Sequence, residues 1–299
     1  MARDPGDELV DPAGHAPTEA LVRGPRTAGA PGGLRFAAVL GPDAETSHPI
    51  FAGLCEALGR ALSVPVTGAA YASYDELLEV VALGRFELVW LPPLLALRAA
   101  RGAAAEAVVL PVRNGAVSYS TALFVRPDSP IRGVDDLGGS RIAWVDRLSV
   151  GGHLVARALL RARGLDPQRV FAEERFLGSH GAVARAVERG RADVGASFAY
   201  FARPEGGARQ VRHAGWGTLP VRVLVDVGGI PMDLLAVRPG LAPELRRGVS
   251  DALLAPGDGD VARLARALLS AESFEPAPPG LFDELAGVLA HVDFDPTDE

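Results

Sequence analysis

Short apolar runs alternate with segments whose apolar residues recur at helical spacing, starting at residue 34. The first run, LRFAAVLG, precedes the helical segment HPIFAGLCEALGRAL. The same order returns in VPVTGAAY, SYDELLEVVALG and FELVWLPP, where the helix is expected to begin after the cap Ser73 and to end at Gly84. Repeated strand, helix, strand units predict an α/β fold with a mainly parallel sheet.

The alternation continues to the end of the chain. Strands are predicted for AEAVVLPV, STALFVR, SRIAWV, VFAEERFLG and ADVGASF, and extended backbone for LPVRVLVDVGGIPMDLLAVR. Helices are predicted for LSVGGHLVARALLRARG, for SHGAVARAVERG, and for three terminal segments, LAPELRRGVSDALLA, DVARLARALLSA and PPGLFDELAGVLAHV. A length of 299 residues, at roughly 150 residues per domain, predicts two domains.

Charge and residue usage exclude several classes of function. The chain has 37 acidic and 30 basic residues and a net charge of −7, so it has no global attraction for nucleic acid or an anionic membrane. It contains no lysine, which excludes Schiff-base chemistry and a phosphate-loop lysine. The single cysteine, Cys55, cannot form an intramolecular disulfide and is expected to pack in the apolar run around Leu54 and Leu58.

No motif for a metal, a cofactor or a catalytic triad is found. The six histidines lack metal-ligand spacing, and neither a GxSxG nor a GxGxxG segment occurs. We therefore expect no metal, no cofactor and no catalytic residue.

Residues 1–33 are predicted to form a disordered leader, because they combine prolines, glycines and acidic residues with few large apolar ones. They lack the basic start and apolar stretch of a secretory signal, so the chain as written is expected in the cytoplasm. A misassigned start site would make it periplasmic. No run of about 18 apolar residues occurs, so no membrane span is predicted.

Two predicted helix starts are candidate anion sites. In VDRLSVGGHL, Ser149 and the residues Val150, Gly151 and Gly152 follow a strand, and the free backbone N–H groups of a helix start can hold an anion. The alternative is that Ser149 is a simple N-cap. In LGSHGAV, Ser179 is a plausible cap and His180 could donate to an anion; the alternative is a solvated histidine.

Aromatic residues mark a third candidate. Tyr71 and Tyr74 precede a predicted helix, and Trp90 ends a predicted strand, where aromatic side chains can form the wall of a ligand cleft. The alternative is that Trp90 lies in the core and the tyrosines lie on the surface.

Five segments in order resemble the phosphonate-binding, PhnD-like substrate-binding proteins of ABC transporters. The segments are YASYDELLEVVALGRFELVWLPP, YSTALFVRPDSPIRGVDDLGGSRIAWVDRLSVGGHL, GSHGAVARAVERGRADVGASFAYF, GIPMDLLAVRPGLAPELRRGVSDALL and SFEP. The resemblance spans residues 34–292 and implies a two-lobed type 2 periplasmic-binding-protein fold with two hinge crossover strands. It implies lobe 1 at 34–116 with 228–299, lobe 2 at 117–227, and a monomer that closes around its ligand.

The resemblance also implies the ligand site and the partners. The ligand is a phosphonate, a phosphate or a related small anion, and the partner is a transporter permease or a sensor protein. Ser149 and His180 match the family's oxyanion-holding turn and histidine. The full set expected to bind ligand is Ser149, Val150, Gly151, Gly152, Ser179, His180, Tyr71, Pro92, Tyr119, Tyr200 and Asp233.

Three departures from the family pattern bear on the ligand. Val150 stands where the family turn has a hydroxyl that would donate, which weakens the oxyanion site. The segment WLPPLLAL is apolar around Pro92, where related proteins often have a tyrosine. No acidic group for an aminoalkyl tail is evident near ASFAYF, which leaves Asp233 as the candidate.

Three functions are compatible with these residues. The first is a solute-binding protein for a small anion. The second is an enzyme on the same fold, similar to those of menaquinone biosynthesis, with His180 as general base oriented by Asp146 or Asp233. The third is a degenerate member that no longer binds ligand, suggested by the apolar residues Val150, Leu94 and Leu95.

Overall fold

The computed structural model describes residues 32–40, 44–71, 73–202, 210–257 and 259–289. Most of the predicted leader, residues 1–31, lies outside the described residues. None of the described helices is both long and apolar enough to cross a membrane.

The described part of the chain contains twelve strands. In chain order they are β1 (Leu34–Val39), β2 (Val66–Tyr71), β3 (Leu88–Leu91), β4 (Glu106–Val112), β5 (Ser118–Val125), β6 (Arg141–Trp144), β7 (Glu173–Phe176), β8 (Val194–Ala202), β9 (Gln210–Ala214), β10 (Arg222–Pro231), β11 (Leu234–Val237) and β12 (Ser273–Pro276).

The same residues contain nine α-helices, a 3-10 turn at Val134–Asp136 and a π-helical turn at Val150–Leu154. The helices are α1 (Ala44–Leu62), α2 (Tyr74–Ala82), α3 (Pro93–Arg101), α4 (Val155–Ala162), α5 (Pro167–Val170), α6 (His180–Glu188), α7 (Pro243–Leu254), α8 (Asp260–Leu269) and α9 (Asp283–Leu289). The sequence pattern does not predict α3, α5 or β9. It also predicts one long helix where the structure has the π-helical turn followed by α4.

The strands form two sheets, which divide the molecule into two α/β lobes. Lobe 1 is built on the order β12-β4-β11-β3-β1-β2, and lobe 2 on β10-β5-β8-β6-β7 with β9 paired to β8. The chain passes from lobe 1 to lobe 2 between β4 and β5, and returns between β10 and β11.

The prediction of a mainly parallel sheet is wrong, because both sheets are mixed and six of the ten strand pairs among the described residues are antiparallel. Strand β1 is parallel to β2 and β3, but β11 lies between β3 and β4 and is antiparallel to both. In lobe 2, β6 is parallel to β7 and β8, while β5 is antiparallel to β8 and β10. In lobe 1, β11 is antiparallel to its neighbours because the chain returning from lobe 2 enters the sheet from the opposite direction.

Apolar side chains cover both faces of the lobe 1 sheet. Helices α1, α7 and α8 cover one face, where Cys55 is 3% exposed and burial raises the pKa of its thiol to about 12. The packing predicted for Cys55 is therefore confirmed. Helices α2 and α3 cover the other face, and this cluster continues into lobe 2 through Val150, Leu154 and Val155.

Strand direction brings the helix starts together. In a unit of parallel strands each connecting helix begins at the carboxyl end of the preceding strand, so the helix N-termini lie at one edge of each sheet. Helices α2 and α3 follow β2 and β3 in lobe 1, and the π-helical turn and α6 follow β6 and β7 in lobe 2. The two edges face a common cavity.

Candidate ligand-binding site

A cavity of about 510 Å³ lies between the lobes. Four helices begin at its wall: α2 at Tyr74, α3 at Pro93, the π-helical turn at Val150 and α6 at His180. Residues from both lobes line it, namely Tyr74, Pro92, Pro93, Leu94, Leu95, Arg113, Tyr119, Val145, Asp146, Leu148, Ser149, Val150, Gly151, Gly178, His180, Phe198, Tyr200, Met232 and Asp233.

Most of the residues expected to bind ligand lie at this cavity, and three do not. Gly152 is buried behind Ser149, and Ser179 is exposed at the start of α6, where its hydroxyl accepts a hydrogen bond from the Ala182 backbone N–H. Tyr71 ends β2 and is half-buried against the lobe 1 core. The structure therefore brings together Ser149, Val150, Gly151, His180, Pro92, Tyr119, Tyr200 and Asp233.

Ser149 caps the π-helical turn and also faces the cavity. Its Oγ accepts a hydrogen bond from the Gly152 backbone N–H at 3.0 Å. The first N–H groups of a helical segment have no acceptor within it, so those of Val150 and Gly151 are available to a ligand. A π-helical turn of this kind is rare and is often found at functional sites.

Close packing requires glycine at position 151. A Cβ added to Gly151 would lie 2.7 Å from the Tyr119 ring. The Gly151 carbonyl accepts a hydrogen bond of 2.6 Å from the buried Thr121 Oγ1, which fixes this peptide. The orientation of the turn is therefore set by protein contacts before any ligand enters.

His180 is the first residue of α6 and lines the cavity. Its Nδ1 lies 2.8 Å from the fully buried Ser197 Oγ, and its ring meets the edge of Phe198 at 4.7 Å between centroids. Burial lowers the pKa of His180 to about 4, so the ring is neutral at pH 7. When the Ser197 hydroxyl donates to Nδ1, the other nitrogen, Nε2, carries the proton and is a donor.

Three tyrosine hydroxyls add neutral donors. The Tyr119 and Tyr200 rings lie 6.3 Å apart, and each also contacts Phe198. Tyr74 stands at the start of α2 and lines the cavity from lobe 1. Burial raises the pKa of the Tyr119 and Tyr200 phenols, so these hydroxyls stay protonated at neutral pH.

The acidic candidate Asp233 is already paired. Its carboxylate accepts hydrogen bonds from both terminal nitrogens of Arg113, with Nη2 at 3.1 Å from Oδ2, and from Trp90 Nε1 at 2.6 Å. Arg113 Nε also donates to the Leu269 carbonyl at 2.8 Å. Asp233 is therefore held by groups of its own lobe and the first crossover.

Trp90 and Val150 both pack in apolar clusters, which for Trp90 is the core alternative left open by the sequence. Trp90 is 8% exposed and packs in the lobe 1 core, while its indole N–H reaches Asp233, so it does not line this cavity. Val150, described above as a lost donor, is buried in the apolar cluster that joins the lobes, together with Leu94 and Leu95. Its side chain thus contributes to the contact between lobes.

Sequence reasoning missed Arg113, Ser197, Phe198 and Met232. Arg113 stands at the first crossover, 120 positions from its partner Asp233, so no local pattern indicates the pair. Ser197 was visible only as part of VGASF, whose second glycine is missing for a nucleophile elbow. Within the described residues, no group of histidine, cysteine or acidic side chains is placed to hold a metal.

The family can be assigned from the sequence match. A family model described as "ABC transporter, phosphonate, periplasmic substrate-binding protein" matches residues 36–279. The chain belongs to this family. It is a solute-binding protein, as the five sequence segments predicted.

Solved structures support the fold of this phosphonate-transporter family. A Xanthomonas citri protein bound to chloride is 18% identical, with a TM-score of 0.68, covering 86% of this chain and 96% of that one. A binding component of a Pseudomonas aeruginosa phosphonate transporter is 17% identical, with a TM-score of 0.60, covering 85% and 84%. PhnD1 of Prochlorococcus marinus in complex with methylphosphonate is 17% identical, with a TM-score of 0.59, covering 88% and 100%. The predicted two-lobed α/β fold class is confirmed.

Proposed function

We propose that this protein closes its two lobes around a small phosphonate-like or phosphate-like oxyanion and passes it, chemically unchanged, to a transporter permease. The observation that carries the proposal is the convergence of four helix N-termini on the 510 Å³ cavity. Each N-terminus has a partial positive charge and free N–H groups, which favour an anion. We also propose that the protein acts as a monomer and that it works in the periplasm, the compartment of its family, in place of the cytoplasm expected from residues 1–33.

The charges at the cavity support a ligand of low charge. Arg113 is the one basic side chain among the described lining residues, and Asp233 neutralises it. Asp146 adds a negative charge near Ser149 and accepts a hydrogen bond from the Leu148 N–H. Helix N-termini and neutral hydroxyl and imidazole donors would therefore hold the anion, and a doubly charged ligand gains little from the site.

The two crossovers between the sheets set the boundaries that we propose for the lobes. We assign residues 34–116 with 232–289 to lobe 1 and residues 117–231 to lobe 2, in place of the boundary between 227 and 228 expected from the resemblance, with hinges at the two crossovers. The pairing of Pro231 with Ser118 supports placing the return crossover at Met232 and Asp233, a few residues later than the sequence suggested.

The contacts of His180 support binding over catalysis. A general base needs a pKa near the working pH, whereas burial lowers that of His180 to about 4. Its Nδ1 meets Ser197, and the carboxylate of Asp233 is held by Arg113 and Trp90. Incubation with phosphonates followed by phosphorus NMR separates the two functions, because a binding protein returns its ligand unchanged.

Replacement of His180 by alanine is expected to weaken methylphosphonate binding by about ten- to hundredfold, the usual value of a hydrogen bond to a charged group. Isothermal titration calorimetry measures the dissociation constant of methylphosphonate for the variant and the unmodified protein. His213→Ala is the matched control, because His213 contacts the same Phe198 ring but does not line the cavity. Equal affinities of the His180→Ala variant and the unmodified protein would remove His180 from the site.

Two serine caps provide a second matched pair. Ser149 and Ser179 each accept a hydrogen bond from a backbone N–H three residues on, but only Ser149 lines the cavity. Each alanine variant is expected to lose about 1 kcal/mol of folding stability through the lost cap. Only Ser149→Ala is expected to weaken binding as well. Equal binding losses in both variants would show that cap loss, not ligand contact, explains the effect.

A further inference from the structure

A second cavity of about 360 Å³ adjoins the first inside lobe 1, and we call it the side chamber. Tyr74, Pro92, Pro93, Arg113 and Asp233 line both spaces, so they form the boundary between them. The two spaces are therefore neighbours, separated by these five residues.

The walls of the side chamber are mostly apolar, with Ser47 and Ser270 among its polar side chains besides the boundary residues. Phe36 and Phe51, in edge contact at 5.1 Å between centroids, line it from β1 and α1, and Leu268 and Leu269 line it from α8. Protein cores are normally packed without voids of this size. Ligand pockets in proteins are concave and lined predominantly by apolar side chains. The chamber thus suits an apolar group.

The boundary itself presents no unpaired charge. Both carboxylate oxygens of Asp233 are engaged by Arg113, and the Trp90 indole N–H also donates to Oδ2. A cationic tail would find the carboxylate occupied, whereas an alkyl or aryl group beside Tyr74 and the two prolines leaves no charge unsolvated.

We propose that the ligand carries an alkyl or aryl substituent on its oxyanion head, and that the substituent occupies the side chamber. This inference rests on the proposed function, which places the head at the helix N-termini. It explains why WLPPLLAL is apolar at the boundary and why the acidic group expected to meet a cationic tail is tied to arginine.

A series of alkylphosphonates tests the inference. Isothermal titration with methyl-, butyl- and octylphosphonate is expected to show affinity rising about fourfold for each methylene that enters the chamber. If methylphosphonate binds and affinity does not rise with chain length, the side chamber is not a subsite, while the proposed function stands. If none of the three binds, the proposed function fails and the inference fails with it.

Variants of residues that line the side chamber test whether the gain in affinity with chain length arises there. Ser47 is a half-buried residue of α1 that lines the chamber, whereas its neighbour Thr46 is exposed and does not. Ser47→Phe is expected to bring the ratio of butyl to methyl affinity close to one, and Thr46→Phe to leave that ratio as in the unmodified protein. Ala265→Leu, which fills the chamber from α8, repeats the test at a separate wall. An unchanged ratio in Ser47→Phe and Ala265→Leu would overturn the proposal.

Discussion

Replacement of Arg113 by methionine is expected to lower the free energy of unfolding by about 2 to 3 kcal/mol. The arginine and Asp233 side chains are 20% and 23% exposed, so the loss lies below that of a fully buried pair and above that of a surface pair. Methionine keeps much of the side-chain volume but leaves the Asp233 carboxylate with Trp90 as its remaining partner. Urea-induced unfolding measures the change.

An exposed pair of the same chemistry serves as the control. Arg246 donates to Glu106 at 2.8 Å, but both side chains are nearly half exposed, so Arg246→Met is expected to cost less than about 1 kcal/mol. A double variant, Arg113→Met with Asp233→Leu, is expected to recover most of the loss, because removing both charges leaves none unpaired. Equal losses of unfolding free energy in Arg113→Met and Arg246→Met would contradict the stabilising role assigned to the pair of Arg113 with Asp233.

The ion pair between Arg113 and Asp233 joins the two crossovers between the lobes. Arg113 belongs to the first crossover and Asp233 to the second, so their ion pair ties together the two segments at which the lobes are joined. The Leu269 carbonyl, which accepts from Arg113, adds the end of α8. The pair therefore joins both crossovers and the end of α8 at the boundary of the ligand cavity.

Local signals in the sequence were sufficient for much of the fold. Ser73 caps α2 as predicted, with its Oγ accepting from the Glu76 N–H, and Gly84 follows with a φ of +61° that suits glycine. Both effects depend on residues within four positions of one another. The antiparallel β11 could not be predicted in the same way, since its place between β3 and β4 depends on where the chain returns from lobe 2.

The residues of the candidate site likewise differ in whether a local sequence signal indicates them. Local signatures of helix starts made Ser149 and His180 candidates with an alternative open for each, the family resemblance then favoured both, and both lie at the cavity. Ser197 and Arg113 act through partners that only the fold brings near, at 2.8 Å from His180 Nδ1 and in ion-pair contact with Asp233. Chemistry at helix ends was readable from the sequence, whereas pairing across strands and crossovers required the structure.

Acidification from pH 7 to pH 4 is expected to cost the fold about 3 kcal/mol through His153 alone. Its ring is 8% exposed, packed on Trp144 and Phe176, and its Nδ1 meets the Arg147 carbonyl at 2.9 Å. Burial is the main cause that lowers the pKa of His153 to about 4, and the charges of Arg157 and Arg147 lower it further. Nε2 is buried without a partner among the described residues.

The direction follows from where the proton binds. Above about pH 6.5 the histidine is neutral in both the folded and the unfolded chain, and stability is at its full value. Between pH 6.5 and pH 4 the unfolded chain takes up a proton that the folded protein excludes, so stability falls as the pH falls. Below pH 4 both states are protonated and this group causes no further loss.

Comparison of His153→Phe with the unmodified protein isolates this effect from other titrating groups. Phenylalanine preserves an aromatic ring between Trp144 and Phe176 but has no proton to gain. We expect urea unfolding of the variant to show a loss between pH 7 and pH 4 that is smaller by about 3 kcal/mol. Part of the acid loss persists in it, because burial also lowers the pKa of His180 to about 4. If the unfolding free energies of the two proteins fall by the same amount over this range, His153 takes up its proton as readily in the folded state as in the unfolded chain. That result would contradict the prediction, which rests on the buried Nε2 without a partner among the described residues.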